Sequence, residues 1–186
     1  MTLDNFDFTF QPSVDKPIVD HLALGDWIRR KENVLLFGQP GVGKTHLAVA
    51  LGVRAIELGY SVAYYTVDEV LQYLKKRQDT PVNRQRRSGY VKNALLILDE
   101  LGYQAMDRRE THLFFQLISA RYTKGSTIVT SNRSASEWVD IFGGDELATT
   151  ALLDRLFHRA HLFNIDGRSY RLKDYDQALA QRIQLT

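Results

Sequence analysis

The chain has 186 residues, 44% hydrophobic and 25% charged, with a formal net charge of +2, a balance that suits one folded domain with a full-sized core and excludes a disordered chain. No apolar run approaches the roughly 20 residues needed to cross a bilayer, and the first residues carry acids instead of a basic and then apolar signal. The absence of cysteine excludes disulfides, thiolate metal sites and a cysteine nucleophile, and fits the cytoplasm.

Residues 1–30 read as an aromatic-bearing lead-in in which Phe6, Phe8 and Phe10 alternate. Such a segment either docks apolar side chains on the core or covers a bound base or a partner. Residues 33–37 are a short apolar run ending at Gly38, as a buried strand would. A helix follows, with Leu47, Ala50, Leu51, Ala55 and Leu58 at helical spacing and Gly59 placed to stop it. Residues 61–66 are rich in β-formers and read as a second strand. Residues 68–76 read as a helix with Val70, Leu71 and Leu74 on one side. Residues 78–88 are polar and basic, contain Pro81 and show no clear period, so they read as a loop or a marginal helix. Residues 93–98 form a third strand that ends in Asp99 and Glu100. An amphipathic helix over 108–123 leads to a fourth strand at 126–130, which runs into Ser131, Asn132 and Arg133. Residues 137–142 and 146–158 read as helices separated by Gly143 and Gly144. A last strand or hairpin lies within 160–172, with a turn at Asp166 and Gly167. Apolar strands alternating with helices predict an α/β fold whose parallel sheet is covered on both faces. The chain divides into a lead-in over 1–30, a core over 31–175 and a tail over 176–186.

Gly38, Gln39, Pro40, Gly41, Val42, Gly43, Lys44 and Thr45 match the pattern G-x-x-x-x-G-K-[ST] in full. Glycines let the backbone curl so that successive N–H groups face phosphate, and the helix that starts there adds its positive end. Lys44 reaches the β- and γ-phosphates, the Thr45 hydroxyl coordinates Mg²⁺, and the His46 N–H can meet a phosphate. The flanking strand and helix are the context that separates this motif from an ordinary glycine-rich turn. The ligand this predicts is a nucleoside triphosphate, ATP with Mg²⁺.

An acid at the end of a buried strand needs a positive group to meet it. Asp99 fits the holding of the Mg²⁺ water shell, and Glu100 the polarising of an attacking water. A kinase acting on a small molecule must keep water from the γ-phosphate, so a second carboxylate beside the metal-binding one favours hydrolysis. Asn132 reads equally as a turn residue at a strand end and as a donor to the γ-phosphate. Arg155 reads equally as the surface partner of Asp154 and as an arginine supplied to a neighbouring subunit's γ-phosphate. Arg171 is a second cation suited to phosphate.

Taken together, GQPGVGKTHLA at 38–48, LLILDELGY at 95–103, FQLISARY at 115–122, STIVTSNR at 126–133, LLDRL at 152–156 and SYRL at 169–172 resemble the insertion-sequence ATP-binding proteins of the IstB-like family. These are ATPase partners of a transposase, of the AAA+ class and close to the DnaC-type helicase loaders. The resemblance runs from about Phe6 to Lys173. It implies a three-layer P-loop fold of AAA+ type with a five-stranded parallel sheet and little or no C-terminal lid. The fourth strand would lie between the phosphate-loop strand and the Asp99 strand. It also implies Asn132 as sensor, Glu100 as catalytic base, Arg155 as an arginine finger acting from the next subunit, ATP-dependent self-assembly on double-stranded DNA, and delivery of that DNA to a transposase. A replicative-helicase loader shares this chemistry with a different client. Relatives usually carry a further segment before Phe6, used for DNA or partner contact, that is missing here, and the connection over 78–92 is shortened.

With so small a net charge, a nucleic-acid surface must come from local clustering. Lys75, Lys76, Arg77, Arg84, Arg86, Arg87 and Lys92 supply one, with Asp79 as the acid among them. It reads equally as a solvated basic face and as a sequence-independent contact to duplex phosphates. His158 and His161 show no convincing metal spacing.

Overall fold

A computed structural model describes residues 1–78 and 89–173. The basic connection over 79–88, with Arg84, Arg86 and Arg87, and the tail from 174 lie outside the described residues. Five strands, β1 (Asn33–Gly38), β2 (Val62–Thr66), β3 (Leu95–Leu101), β4 (Ser126–Ser131) and β5 (Ala160–Ile165), form one sheet in the order β2-β3-β4-β1-β5. Every pairing is parallel, and β4 is inserted between β1 and β3.

The helices are α1 (Lys16–Leu22), α2 (Asp26–Arg29), α3 (Lys44–Glu57), α4 (Val67–Gln78), α5 (Gly89–Lys92), α6 (Arg108–Arg121), α7 (Trp138–Ile141) and α8 (Glu146–Phe157). Side chains alternate across a strand, and the two sets meet different helices. Val34, Leu36, Ile97, Ile128 and Phe163 pack with Leu47, Ala48 and Leu51 of α3 and with Phe6, Val14, Val19, Leu22 and Trp27 of the lead-in. Leu35, Leu96, Leu98 and Val129 pack with α4, α6, α7 and α8 through Val70, Phe114, Leu117, Trp138 and Leu152. Strands buried on both faces explain the continuous apolar runs of β1 and β3; β4 is equally buried, although only Ile128 and Val129 of it are apolar. The lead-in contributes core side chains and two short helices.

Helix starts follow local chemistry. Asp107 accepts from Glu110 N at 2.7 Å while the Glu110 carboxylate accepts from Asp107 N at 2.8 Å, a capping box that begins α6. Thr66 and Glu69 make the same reciprocal pair at the start of α4. Asp145 caps α8 by accepting from Ala148 N at 2.9 Å.

Of the last strand or hairpin expected within 160–172, the strand is present as β5, and no hairpin turns at Asp166 and Gly167 among the described residues. β5 is a parallel edge strand on β1, and among the described residues beyond it none pairs antiparallel with it. Instead Ser13 Oγ donates to Asp166 O at 2.9 Å and accepts from Asp166 N at 3.0 Å, turning the chain back over the lead-in. Gln11 Nε2 donates to Arg168 O at 2.9 Å, and a short 3₁₀ turn follows at Tyr170–Leu172. Residues 166–173 thus form a strap across the C-terminal ends of β1 and β5.

Candidate functional site

The C-terminal ends of the strands open into a cavity of about 330 Å³ lined by Pro40, Gly41, Val42, Gly43, Lys44, Thr45, His46, Glu100, Asn132 and Arg171, with Phe6, Gln11 and Tyr170 at its side. β1 leads into its floor. Gly38, Gly41 and Gly43 have φ of 146°, 85° and 102°, a region that residues with a Cβ rarely enter, so the loop curls and α3 begins directly behind it. At Gly41 a Cβ would also collide with Ser169 of the strap, and Tyr170 N donates to Gly41 O at 2.9 Å. At Gly43 a Cβ would come within 2.9 Å of the Phe6 ring.

Lys44 Nζ donates to the carbonyls of Gly38 at 2.7 Å and Gln39 at 2.9 Å, which folds the ammonium over the loop. Its pKa is lowered, chiefly by burial; Asp99 raises it and Arg171 adds to the lowering. Two cations thus converge above loop N–H groups and a helix N-terminus, an arrangement that takes an anion. His46 turns its ring away: Nε2 lies 3.0 Å from Thr2 O and the ring packs edge-on to Phe6.

Asp99 lies behind Thr45 and is 2% exposed. The Thr45 hydroxyl donates to both carboxylate oxygens at 3.1 Å, Thr130 Oγ1 donates to Oδ1, and Tyr64 Oη donates to Oδ2 at 2.6 Å. Burial first, and then the Asp99 hydrogen bond, push the Tyr64 phenol pKa up. Among the described residues no cluster of three or more His, Cys, Asp or Glu side chains could hold a metal. The adjacent Thr45 hydroxyl and Asp99 carboxylate are hard oxygen donors of the kind that fits Mg²⁺, which keeps much of its water and takes its other ligands from phosphate. Glu100 follows at φ 66°, exposed, where the β3–β4 register breaks between Leu98 and Leu101. Its N–H donates to Thr130 Oγ1 at 3.0 Å. A non-glycine residue in this region is strained and is held by its surroundings; here the bulge turns Glu100 out toward the cavity, away from the sheet.

Asn132 follows β4 directly and lines the cavity. Arg155 is elsewhere. It lies near the end of α8, whose Leu156 carbonyl accepts from Asn33 Nδ2 at 3.0 Å at the start of β1, so one strand length, roughly 20 Å, separates it from the phosphate loop. Its guanidinium donates to Ala151 O at 2.7 Å and covers the Phe115 ring at 4.8 Å, and no ion pair with Asp154 is seen. Of the basic cluster, Lys75 is turned to Glu110 at 2.5 Å, the Arg77 side chain falls outside the described residues, and Lys76 sits on α4 with both. His161 pairs with Glu32 at 2.8 Å and His158 Nδ1 with Tyr122 Oη at 3.1 Å. Tyr64, Thr130 and Gln11 were not singled out from sequence as parts of the site. The signal for Tyr64 is its place two residues before Thr66 in a strand, which puts both on one face.

Residues 1–178 match the family model described as IstB-like ATP binding protein. The chain is 47% identical over 179 residues to a protein of Pseudomonas aeruginosa named for ATP binding in insertion sequence IS21, covering 95% of this chain and 66% of that protein. It is 42% identical over 173 residues to one of Geobacillus stearothermophilus named likewise for IS5376, covering 93% and 68%. The chain therefore spans about two thirds of the length of these relatives. Among solved structures, AMPPCP-bound DnaA from Aquifex aeolicus superposes with a TM-score of 0.68 at 24% identity, over 97% of this chain and 55% of that one. The DnaC helicase loader superposes with a TM-score of 0.65 at 21% identity, over 81% and 87%. The fold is thus a P-loop α/β fold of AAA+ type.

Proposed function

The chain belongs to the family of IstB-like ATP-binding proteins, and on that premise we propose that it binds ATP with Mg²⁺ and hydrolyses it as an AAA+ regulator of DNA transposition, assembling on double-stranded DNA to assist a transposase. The observation that carries the nucleotide half of this reading is the convergence of Lys44 and Arg171 over the phosphate loop, opposite the Thr45–Asp99 pair. No helix among the described residues is long and apolar enough to cross a membrane.

In this reading the loop N–H groups and Lys44 hold the β- and γ-phosphates, Arg171 closes on them from the strap, and the lead-in side of the cavity takes the base. Thr45 and Asp99 hold Mg²⁺, which supplies charge neutralisation at the transferring phosphoryl group. Glu100, turned into the cavity by its backbone, orients water and accepts its proton, and Asn132 donates to the γ-phosphate. Arg155 is too far from its own loop to act there, so its part is played on the neighbouring subunit. A head-to-tail contact of this kind closes a ring or continues a helix. The described residues leave the DNA contact with Lys75, Lys76, Arg77, Arg84, Arg86 and Arg87 as a proposal on composition alone. Its support is weaker at Lys75, whose charge meets Glu110.

Turnover and particle mass with ATP, measured with and without duplex DNA for wild type and Glu100→Gln, test the reading. Loss of the base costs about a thousandfold in turnover while ATP is retained and the larger assembly persists. Unimpaired turnover in the variant removes Glu100 from the mechanism. Failure of wild type to enlarge with ATP removes the trans role of Arg155. Co-purification with the transposase rather than a replicative helicase identifies the client.

A further inference from the structure

The Asp99 carboxylate is held from two directions. Thr130, on β4, donates to Oδ1, and Tyr64, on β2, donates to Oδ2 at 2.6 Å. These strands flank β3 on either side, so the two hydroxyls grip opposite oxygens, and rotation of the carboxylate about its Cβ–Cγ bond would break both bonds. Thr45 bridges the same two oxygens at 3.1 Å from the phosphate-loop side. Tyr64 itself belongs to an edge strand and is 42% exposed. Its ring is not part of either buried core. Its best-placed polar contact is that bond to a buried carboxylate.

We propose that Tyr64 is a positioning residue for the Mg²⁺ site: it fixes the plane of the Asp99 carboxylate so that the oxygens face a cation held by Thr45 without reorganising when one arrives. The inference rests on the reading of Thr45 and Asp99 as the metal-holding pair. A buried carboxylate gripped by hydroxyls on both oxygens has little rotational freedom to lose on meeting a cation, and preorganisation of this kind strengthens binding by removing that cost. Without the phenol, the Asp99 carboxylate turns about a single remaining strand anchor, Thr130. The loss should therefore fall on the contribution of Mg²⁺ and leave contacts between nucleotide and loop alone.

The test is the affinity of a fluorescent ATP analogue for wild type and Tyr64→Phe, each in excess Mg²⁺ and in EDTA, with Tyr65→Phe as a neighbouring control whose ring packs on Tyr90. In EDTA the three proteins should bind within about twofold of one another. Mg²⁺ should tighten wild type and Tyr65→Phe alike, and tighten Tyr64→Phe by about tenfold less, the size of one hydrogen bond to a charged group. Equal tightening in Tyr64→Phe overturns the inference while leaving the metal reading in place. So does an equal loss with and without Mg²⁺, which marks a structural role. A wild type that gains nothing from Mg²⁺ overturns the Thr45–Asp99 reading first, and the Tyr64 inference with it.

Discussion

The two ends of the sheet bury charge in opposite ways. At the N-terminal end Arg121 is 1% exposed, and its guanidinium donates to Thr127 Oγ1 at 3.2 Å, to Asn93 O at 3.1 Å and to the carbonyls of Tyr90 and Ser126. Burial pushes its pKa down to about 10, which leaves it charged at neutral pH. Beside it Asn33 donates to Leu156 O and accepts from Thr127 N, both at 3.0 Å. At the C-terminal end Lys44, Glu100 and Arg171 face a cavity. Lys44 also donates to backbone carbonyls, so the difference lies in the surroundings: Arg121 is ringed by acceptors of the protein, whereas Lys44 shares an open cavity with Glu100 and Arg171. Burial alone would not have told them apart, since Asp99 and Arg121 are equally enclosed.

Substitutions at the two ends should therefore fail differently. The largest effect is expected for Arg121→Met, which leaves the carbonyls it served without a donor and should cost about 3 kcal/mol of stability. Nucleotide affinity, measured where the protein is still folded, should be unchanged. Next comes Lys44→Ala, which should weaken ATP binding by roughly a hundredfold, ~2.7 kcal/mol, with the melting temperature of the nucleotide-free protein nearly unmoved. A drop in melting temperature comparable to that of Arg121→Met would break the distinction. Asn33→Ala, at the same lower end, should cost about 1–2 kcal/mol of stability and again spare affinity in an equilibrium titration.

The smallest effect concerns the strap. Asp7 accepts from Lys173 Nζ at 2.8 Å and from Phe10 N at 2.9 Å. The Lys173 hydrogen bond first, and the Phe10 N–H second, hold its pKa below the ordinary 3.8. A depressed carboxylate stabilises fully above its unfolded value and ceases to do so as pH falls through the folded one. Melting curves of wild type and Asp7→Asn should differ by a constant amount from pH 5 to 8 and converge below pH 3.8. A difference that persists in acid would mean that Asp7 acts through something other than its charge.

What could be read from the sequence was what is local in it. The phosphate loop is eight consecutive residues between an apolar run and a periodic one, and Asp99 with Glu100 ends another run, so both could be placed before any tertiary contact was known. The position of β4 between β1 and β3 came from the family resemblance, because strand periodicity does not state strand order. Within 160–172 the sequence left strand and hairpin open for a related reason: turn residues announce a bend without naming what the chain pairs with afterwards, and here a single strand, β5, is followed by contacts to Ser13 and Gln11 of the lead-in. Tyr64 and Thr130 reach Asp99 only because β2 and β4 flank β3. The basic cluster looked uniform in sequence, yet Lys75 is turned to Glu110 on α6, a neighbour that helical spacing within α4 could not supply.

The contact of the strap with Gly41 has a consequence for the order in which the protein is made. A chain emerging from the ribosome presents residues 38–45 early, although a domain generally folds as a unit. The loop nevertheless lacks Ser169, Arg171 and the Tyr170 N–H that docks on Gly41 until the last strand of the sheet has passed. A nascent chain stopped before that point carries the whole phosphate-loop motif and only part of its enclosure. On the proposed reading of the site, full enclosure of a nucleotide therefore waits for the finished domain.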